Sequence, residues 1–535
     1  MPSTSIPALP NTPSWSSMTV LFLAFSCCKI LLMPSYRSTD FDVHRNWLAI
    51  TRHLPIKEWY HDDVNGTTVH TLDYPPSFAY WEYLLSNNPV TQYLIHDAEL
   101  LDERCLQLLP DSDNTPSEAC VIFHRSTVIC SDMVLWWGAW VMATSSSTPS
   151  QVLFLGQFPA SFLLTVFHPG LLWLDHVHFQ YNGMLFGIFL ASLGYLMKVN
   201  NSSTTEREFH KHHWKAAVLF ALLLTMKHLF LTLGPFYFVY LLRRYCLEPP
   251  PSKQSSSQNT PQNSTKTIQL YPLHLITLSV YTGTTLLVPF LPFLRQMPQL
   301  LKRLFPFGRG LVHDYWAANV WALYSFVDKV SGLAHGPSLL DVPASVCALL
   351  LLLSLLPGLY FGAWKAAEEH DNMKLITAVV YSALCSFMLG FHVHEKAILN
   401  AIIPLLFLVC NNSKNTASLR VLCFQMTSLG LLGIFPLLFR PAELALKLVS
   451  YAAYMALCYH VLLERMDMSR QRLVVELLPL VAVVVGLVML LEFVPIRFYG
   501  KLEFLPLLCT SVGCAVGLIL CWIRLSLWMV GVIIG

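Results

Sequence analysis

Apolar stretches of about 20 residues recur along almost the whole chain, the length a helix needs to cross the hydrocarbon core of a bilayer. They begin near Met18, Val121, Gln151, Asn182, Ala216, Gly234, Tyr271, Pro343, Leu375, Ala397, Val421, Leu446, Leu473 and Phe504. Roughly 12 to 14 spans are expected on that rule. Only helices and closed barrels satisfy every backbone polar group in lipid. The runs lack the period-two alternation of barrel strands, so the expected class is an all-α polytopic membrane protein. Composition agrees: of 535 residues, 54% are hydrophobic and 12% charged, against about 25% charged in a soluble domain. The net charge of +2, with no basic stripe interleaved with aromatics, argues against nucleic acid as a partner and leaves membrane lipid.

The first run has no basic leader and no small-residue cleavage site closing it, so it is expected to be an uncleaved span. Lys227 and Gly234 sit where two short spans and one long bent one look alike by hydropathy. Threading the spans from a cytosolic amino terminus places four segments, 34–119, 167–181, 295–342 and 392–396, on one face. The segments 198–215, 243–266, 365–374, 411–420 and 464–472, rich in Lys/Arg or in Ser, Gln and Pro, fall on the other. Agreement with the positive-inside rule is modest, because Arg295, Lys302, Arg303 and Arg309 lie on the first face. Residues 245–268, rich in Pro, Ser and Gln, read as a flexible cytosolic linker. The expected division is a catalytic transmembrane module over 1–410 and further transmembrane helices over 411–535. Of the sequons, Asn65 alone is expected in the lumen. Most of the 14 Cys lie in apolar runs, where a thiol acts as a small hydrophobe. Cys105 and Cys120 are exceptions, either a disulfide facing an oxidising lumen or two free thiols.

The chemistry-bearing residues concentrate on the first face. Asp40 and Asp42, in Ser38-Thr-Asp-Phe-Asp-Val-His-Arg-Asn-Trp47, hold carboxylates at the membrane surface, followed by an amphipathic stretch suited to an interfacial helix. Asp40 is equally placed to cap that helix. Asp73 and Tyr74 belong to Leu72-Asp-Tyr-Pro-Pro76, a rigid aromatic corner. Asp175, His176, His178, Gln180 and Asn182 crowd the mouth of a span, which is costly unless they are paired or solvated. His392 and His394 form a second His-x-His pair beside Glu395 and Lys396. Alternating His suggests a metal, but no compact set of Cys and carboxylate ligands accompanies them, so bonding to sugar hydroxyls or phosphate fits better. Arg303 and Arg309, near His313, Tyr315 and Trp316, suit a phosphate contact or a solvated basic loop.

Taken in order, STDFDVHRNW, LDYPP, DHVHFQYNG, RLFPFGRGL and HVHEKAIL resemble the dolichyl-phosphate-glucose-dependent α-1,3-glucosyltransferases of asparagine-linked glycosylation. The resemblance runs in motifs from about Asp40 to Lys396. Within the family, HDYWAANVWALY is similar to the members that add the second glucose, although Ala318 stands where proline is expected. The resemblance implies a C-class glycosyltransferase in the endoplasmic reticulum membrane, with lumenal loops carrying interfacial helices and the active site at the lumenal surface. It implies dolichyl-phosphate glucose as donor, a lipid-linked oligosaccharide as acceptor, an inverting displacement, no cofactor and no metal. Asp40 matches the family's catalytic aspartate, with Asp42 its competitor. His392, His394, Glu395 and Lys396 match the donor-phosphate segment, assisted by Arg303 or Arg309. The remaining polar residues named above would line the substrate pocket. The closer rivals are the first-glucose α-1,3-glucosyltransferase of the same family and a mannosyltransferase of the same architecture. The rival from another class is a lipid or sugar transporter, which needs ionisable groups near the midplane and repeated halves, but Lys227 is the main such residue and no repeat is evident.

Overall fold

The computed structural model describes residues 15–61, 70–108, 115–145, 152–153, 157–201, 203–250, 268–305, 308, 310–313, 316–335, 342–410, 416–464, 466, 469–494 and 504–531. Arg309, Tyr315, Asn65 and most of the 245–268 linker lie outside them. Among the described residues the chain is helices and connecting loops, apart from a two-residue antiparallel pairing of Val152–Leu153 with Phe158–Pro159.

Nine helices among the described residues are long and apolar enough to cross a membrane: Glu118–Ala143, Asn182–Val199, Pro272–Leu304, Ala344–Glu369, Asn372–Leu389, Ala417–Leu437, Pro441–Leu463, Gln471–Phe493 and Leu505–Met529. The apolar runs at Met18, Gln151, Ala216, Gly234 and Ala397 give shorter or broken helices. Proline explains one of them, because it removes an amide donor and crowds the preceding turn. The run at Gln151 is cut at Pro159 and Pro169 into Ala160–Val166, Pro169–Leu171 and a π-helical turn Leu172–Val177. The run at Ala397 is a 3-10 turn, Glu395–Ile398, continued by Leu399–Val409 with Pro404 inside it. The run at Ala216 is the apolar half of Glu206–Met226, which opens on a capping box formed by Thr205 and Glu208 and carries a polar first half. At Lys227 the backbone becomes extended, and the chain re-enters as His228–Leu233 and then Gly234–Leu241. Two helices separated by an extended residue and a 3-10 turn therefore replace one bent one, with Phe220 stacked on Tyr237 at 3.7 Å between centroids.

Helix pairing is tightest between Glu118–Ala143 and Asn182–Val199. A Cβ placed on Gly138 or on Gly187 would collide with the other helix's backbone. Close backbone approach through small residues is how helices associate where lipid removes the hydrophobic drive. Outward-facing Leu273, Ile276, Leu349, Leu352, Val474, Val475 and Leu478 are exposed, a band that water would penalise and lipid covers. One continuous core joins residues before and after position 410, from Phe41 and Trp173 to Leu429 and Cys521.

The polar segments collect at two ends. At one, Asn200 bonds Asn372 at 2.8 Å, and Glu248 pairs with Arg243 at 2.6 Å, Arg244 at 3.2 Å and His370 at 3.0 Å. This joins the expected cytosolic segments. At the other, segments around Asp40, His178, His313 and Lys396 converge. There Cys105 and Cys120 are disulfide-bonded, with Cα atoms 5.5 Å apart, tying the Glu103–Leu106 turn to the start of Glu118–Ala143.

Candidate active site

Asp40 lies in the first turn of the Thr39–His53 helix, whose cap is Ser38: the Ser38 side chain accepts the Phe41 amide at 3.4 Å. Capping is thus done by the serine, and the aspartate is free to face elsewhere. Its Oδ2 accepts the Gln180 side-chain amide and lies 3.5 Å from His178 Nε2 and 3.6 Å from Lys396 Nζ. Desolvation pushes its pKa up, but Lys396, His178 and Gln180 outweigh this and hold the carboxyl well below the usual carboxylate range. The side chain is still 31% exposed, so a reactant can reach it. The apolar face of the helix packs on protein, with Trp47 against Tyr74 and Phe78, and Phe41 against Phe179.

The residues around Asp40 are held by buried hydrogen bonds. The Tyr36 hydroxyl donates to the Leu437 carbonyl at 2.7 Å, so toward His178 Nδ1, 2.8 Å away, it can only accept. That fixes a proton on Nδ1, and Nε2, facing Asp40, carries one only as imidazolium. Ser38 Oγ donates to the His178 carbonyl. The buried Arg125 guanidinium gathers the carbonyls of Tyr36, His176 and Val177. Asp132 receives both Lys29 and His176, the latter at 2.8 Å. Asp175 accepts the Asn182 amide at 3.1 Å, the Asn182 side chain at 2.9 Å and the Gly183 amide at 2.6 Å, closing the start of Asn182–Val199. Asn182 Nδ2 also donates to Gln180 Oε1 at 2.7 Å, turning the Gln180 amide toward Asp40. Of the five polar groups at this span mouth, His178 and Gln180 touch Asp40, while Asp175, His176 and Asn182 hold the scaffold.

The Lys396 side is built by two loops. His392, at a left-handed φ of 52°, donates its amide to the Leu311 carbonyl at 2.9 Å and its Nδ1 proton to the Gly310 carbonyl at 2.8 Å. The His313 ring lies tilted 4.0 Å from that of His394, and its Nδ1 lies 3.9 Å from Glu395. Burial, then Lys396, His313 and His392, hold His394 well below the ordinary histidine range. It is neutral, and the cation facing Asp40 from this segment is Lys396. Ring nitrogens of His313, His392 and His394 lie within 4.8 Å of one another, and these three are the residues here that could hold a metal ion.

Other expected residues sit apart. Asp42, two residues along the same helix and so about 200° around it, turns from Asp40 and pairs with Arg37 at 3.3 Å. Arg303 bonds the Thr71 hydroxyl, bracing the loop that carries Asp73 and Tyr74. Tyr74 lends its ring face to Lys227 at 5.2 Å, and Trp316 does the same for Lys329 at 4.6 Å. Sequence reasoning missed the supporting roles of Lys29, Tyr36, Arg125 and Asp132. Three of these are ionisable residues in or beside apolar runs, the signal that could have found them. Lys227, read as a midplane residue, bonds Asn182 Oδ1 at 3.2 Å and lies at the same end as Asp40.

Known proteins match this chain in sequence over nearly its whole length. The ALG6, ALG8 glycosyltransferase family profile matches residues 25–525. A Drosophila melanogaster protein named "Probable dolichyl pyrophosphate Glc1Man9GlcNAc2 alpha-1,3-glucosyltransferase" is 38% identical over 92% of this chain and 90% of its own length. Proteins with the same name, without the first word, are 36% identical in Bos taurus, over 96% of this chain and 95% of their chain, and 34% in Gibberella zeae, over 96% and 97%.

Proposed function

The chain belongs to the ALG6, ALG8 glycosyltransferase family and is a membrane-embedded glucosyltransferase; from that premise we propose that it moves glucose from dolichyl-phosphate glucose to a monoglucosylated oligomannose dolichyl diphosphate at the lumenal face of the endoplasmic reticulum. The observation that carries this reading is the pairing of an accessible carboxylate, Asp40, with a cation, Lys396, 3.6 Å away. A single displacement needs these two groups, one for each end of the reaction. Asp40 takes the proton of the acceptor 3-hydroxyl as its oxygen attacks the anomeric carbon. The bond from that carbon to the phosphate oxygen breaks, its electron pair staying with dolichyl phosphate, whose charge goes from about −1 to about −2. Lys396 stabilises the charge that develops there, worth most where water is excluded. The leaving phosphate needs no acid, and a positioned base supplies about 10² to 10⁴ in rate. No step requires a metal ion, and none of the residues assigned here is used as a metal ligand.

Three relatives with Glc1Man9GlcNAc2 in their names support the second-glucose step, as does the His313–Tyr324 segment. The test is an acceptor series. Purified protein, given dolichyl-phosphate glucose and lipid acceptors bearing no glucose, one or two, should extend only the monoglucosylated one. Extension of the unglucosylated acceptor would make it the first-glucose enzyme, and no extension of any would overturn the reading.

A further inference from the structure

Lys227 is a buried lysine, 7% exposed, whose pKa is lowered to about 7 by burial and then by Lys396; it lies at a break in the helical backbone, where φ −149° and ψ 111° make it extended. Its contacts are an amide oxygen, Asn182 Oδ1 at 3.2 Å, and the face of Tyr74 at 5.2 Å. Both are neutral. No carboxylate oxygen among the described residues lies within 4.0 Å of it. Lys227 and Lys396 nevertheless line one crevice with Asn182 and Asn400. Two cations sharing a desolvated crevice repel, and burying a charge without a counter-charge is expensive. The nearby carboxylates, Asp175, Asp40 and Asp73, act on it only at longer range: Asp40 pairs with Lys396 and His178, and Asp175 is bonded to three neutral N–H donors. Lys227 thus has no direct ion-pair partner among the described residues.

We propose that Lys227 is a second cation of the donor-phosphate site, working with Lys396 to hold the phosphodiester of the lipid-linked glucose. This rests on the function proposed above and extends it by a residue that the family segments at Asp40 and Lys396 do not include. The ligand is a phosphate ester, supplied as a lipid headgroup. The extended backbone at Lys227 carries the site: a helix continued past Met226 would keep its amide bonded but would set the side chain on a different course. Asn182 then has two duties, steadying Lys227 through its oxygen and Gln180 through its nitrogen.

Full-length Lys227→Met, Lys227→Arg and Asn182→Ala proteins, each eluting as wild type, are compared for turnover and for inhibition by dolichyl phosphate and by inorganic phosphate. Lys227→Met should raise the KM for dolichyl-phosphate glucose and the inhibition constant of dolichyl phosphate by about tenfold or more, the loss of one charge-assisted contact. The acceptor KM should stay as in wild type, and Lys227→Arg should restore most donor binding. Asn182→Ala should lower kcat through Gln180 while leaving dolichyl phosphate inhibition nearer wild type. Inorganic phosphate should inhibit far more weakly than dolichyl phosphate; equal potency would overturn the lipid source. An unchanged dolichyl phosphate inhibition constant in folded Lys227→Met overturns the proposal and leaves Lys227 a structural support. If Lys227→Met does not fold, Lys227→Gln carries the same readout. Failure of wild type to use the lipid donor would instead refute the function reading.

Discussion

The low pKa of Asp40 makes a testable statement about the acid limb of activity. Lys396→Met removes the ammonium 3.6 Å from the carboxylate. At that distance two unit charges interact by about 1 kcal/mol in water and about 4 to 5 kcal/mol at an effective dielectric of about 20. Asp40 is 31% exposed, so solvent screening favours the lower part of that range, about 1 to 2 kcal/mol, or roughly one pH unit. The active base is the carboxylate. In wild type its pKa lies below the ordinary value of 3.8, so this group alone lets kcat/KM for the donor hold down to about pH 4. In Lys396→Met the carboxyl is easier to protonate, and activity should begin to fall about one unit higher. His178→Ala, removing the imidazole 3.5 Å away, should move the limb the same way. Absolute rates fall in both variants, so the measurement is the position of the limb, taken as kcat/KM against pH with folding checked at each point. A limb that stays in place, or moves to lower pH, would refute the assignment of Lys396 and His178 as the groups that set the base. Stability follows the same sign: a depressed carboxyl stabilises the fold above its unfolded pKa of about 3.9, and the gain disappears as pH falls through the folded value.

Asp40→Asn should leave the protein folded in detergent, since Gln180 and Ser38 keep bonding partners there, while transfer falls by about 10² to 10⁴ or more; near-normal turnover would remove Asp40 as the base. Reduction of Cys105–Cys120, which closes a loop of 15 residues, should cost about 3 kcal/mol of stability, read as a lower melting temperature with dithiothreitol that is absent in Cys105→Ser/Cys120→Ser. Gly187→Leu places a side chain against the Glu118–Ala143 backbone and should destabilise by about 1 to 3 kcal/mol or prevent folding, whereas Gly283→Leu, which meets open space, should not. Activity should survive excess EDTA; loss restored by a divalent ion would assign the His313, His392 and His394 grouping to a metal.

Much of the architecture was legible because hydropathy is additive along a span. The nine helices that meet the length and composition rule all fall on apolar runs, and the grouping of polar segments at two ends follows from counting crossings. Three of the five other runs needed proline positions or one charge, Lys227, to be weighed in three dimensions. At the site, capping by Ser38 rather than Asp40 turns on φ and ψ at one residue. The choice between Asp40 and Asp42 turns on helix phase, readable once the helix start is known. The ion pairs of Asp132 and the bond from Tyr36 to the Leu437 carbonyl join residues 103, 44 and 401 positions apart, and a backbone carbonyl has no sequence signature. That last bond also brings the segment after residue 410, through Leu437 and through Arg440 lying 5.3 Å over the Tyr36 ring, to the support of Asp40.

A base held well below its ordinary pKa is a poor one, and general-base catalysis is best near the working pH. The arrangement resolves this through Lys396, whose charge is available to Asp40 only while no anion competes for it. Once a donor phosphate enters, the ammonium is shared, its hold on the carboxylate weakens, and the carboxyl pKa rises toward the range where it accepts a proton well. The pull on the phosphate strengthens as its charge grows from about −1 to about −2, so the leaving group is drawn most strongly as the acceptor proton arrives on Asp40. Donor binding therefore precedes activation of the base, and the acid limb of kcat at saturating donor should lie at higher pH than the limb of kcat/KM. Coincident limbs would show that Lys396 remains bound to Asp40 throughout, and that the phosphate is held by other cations alone.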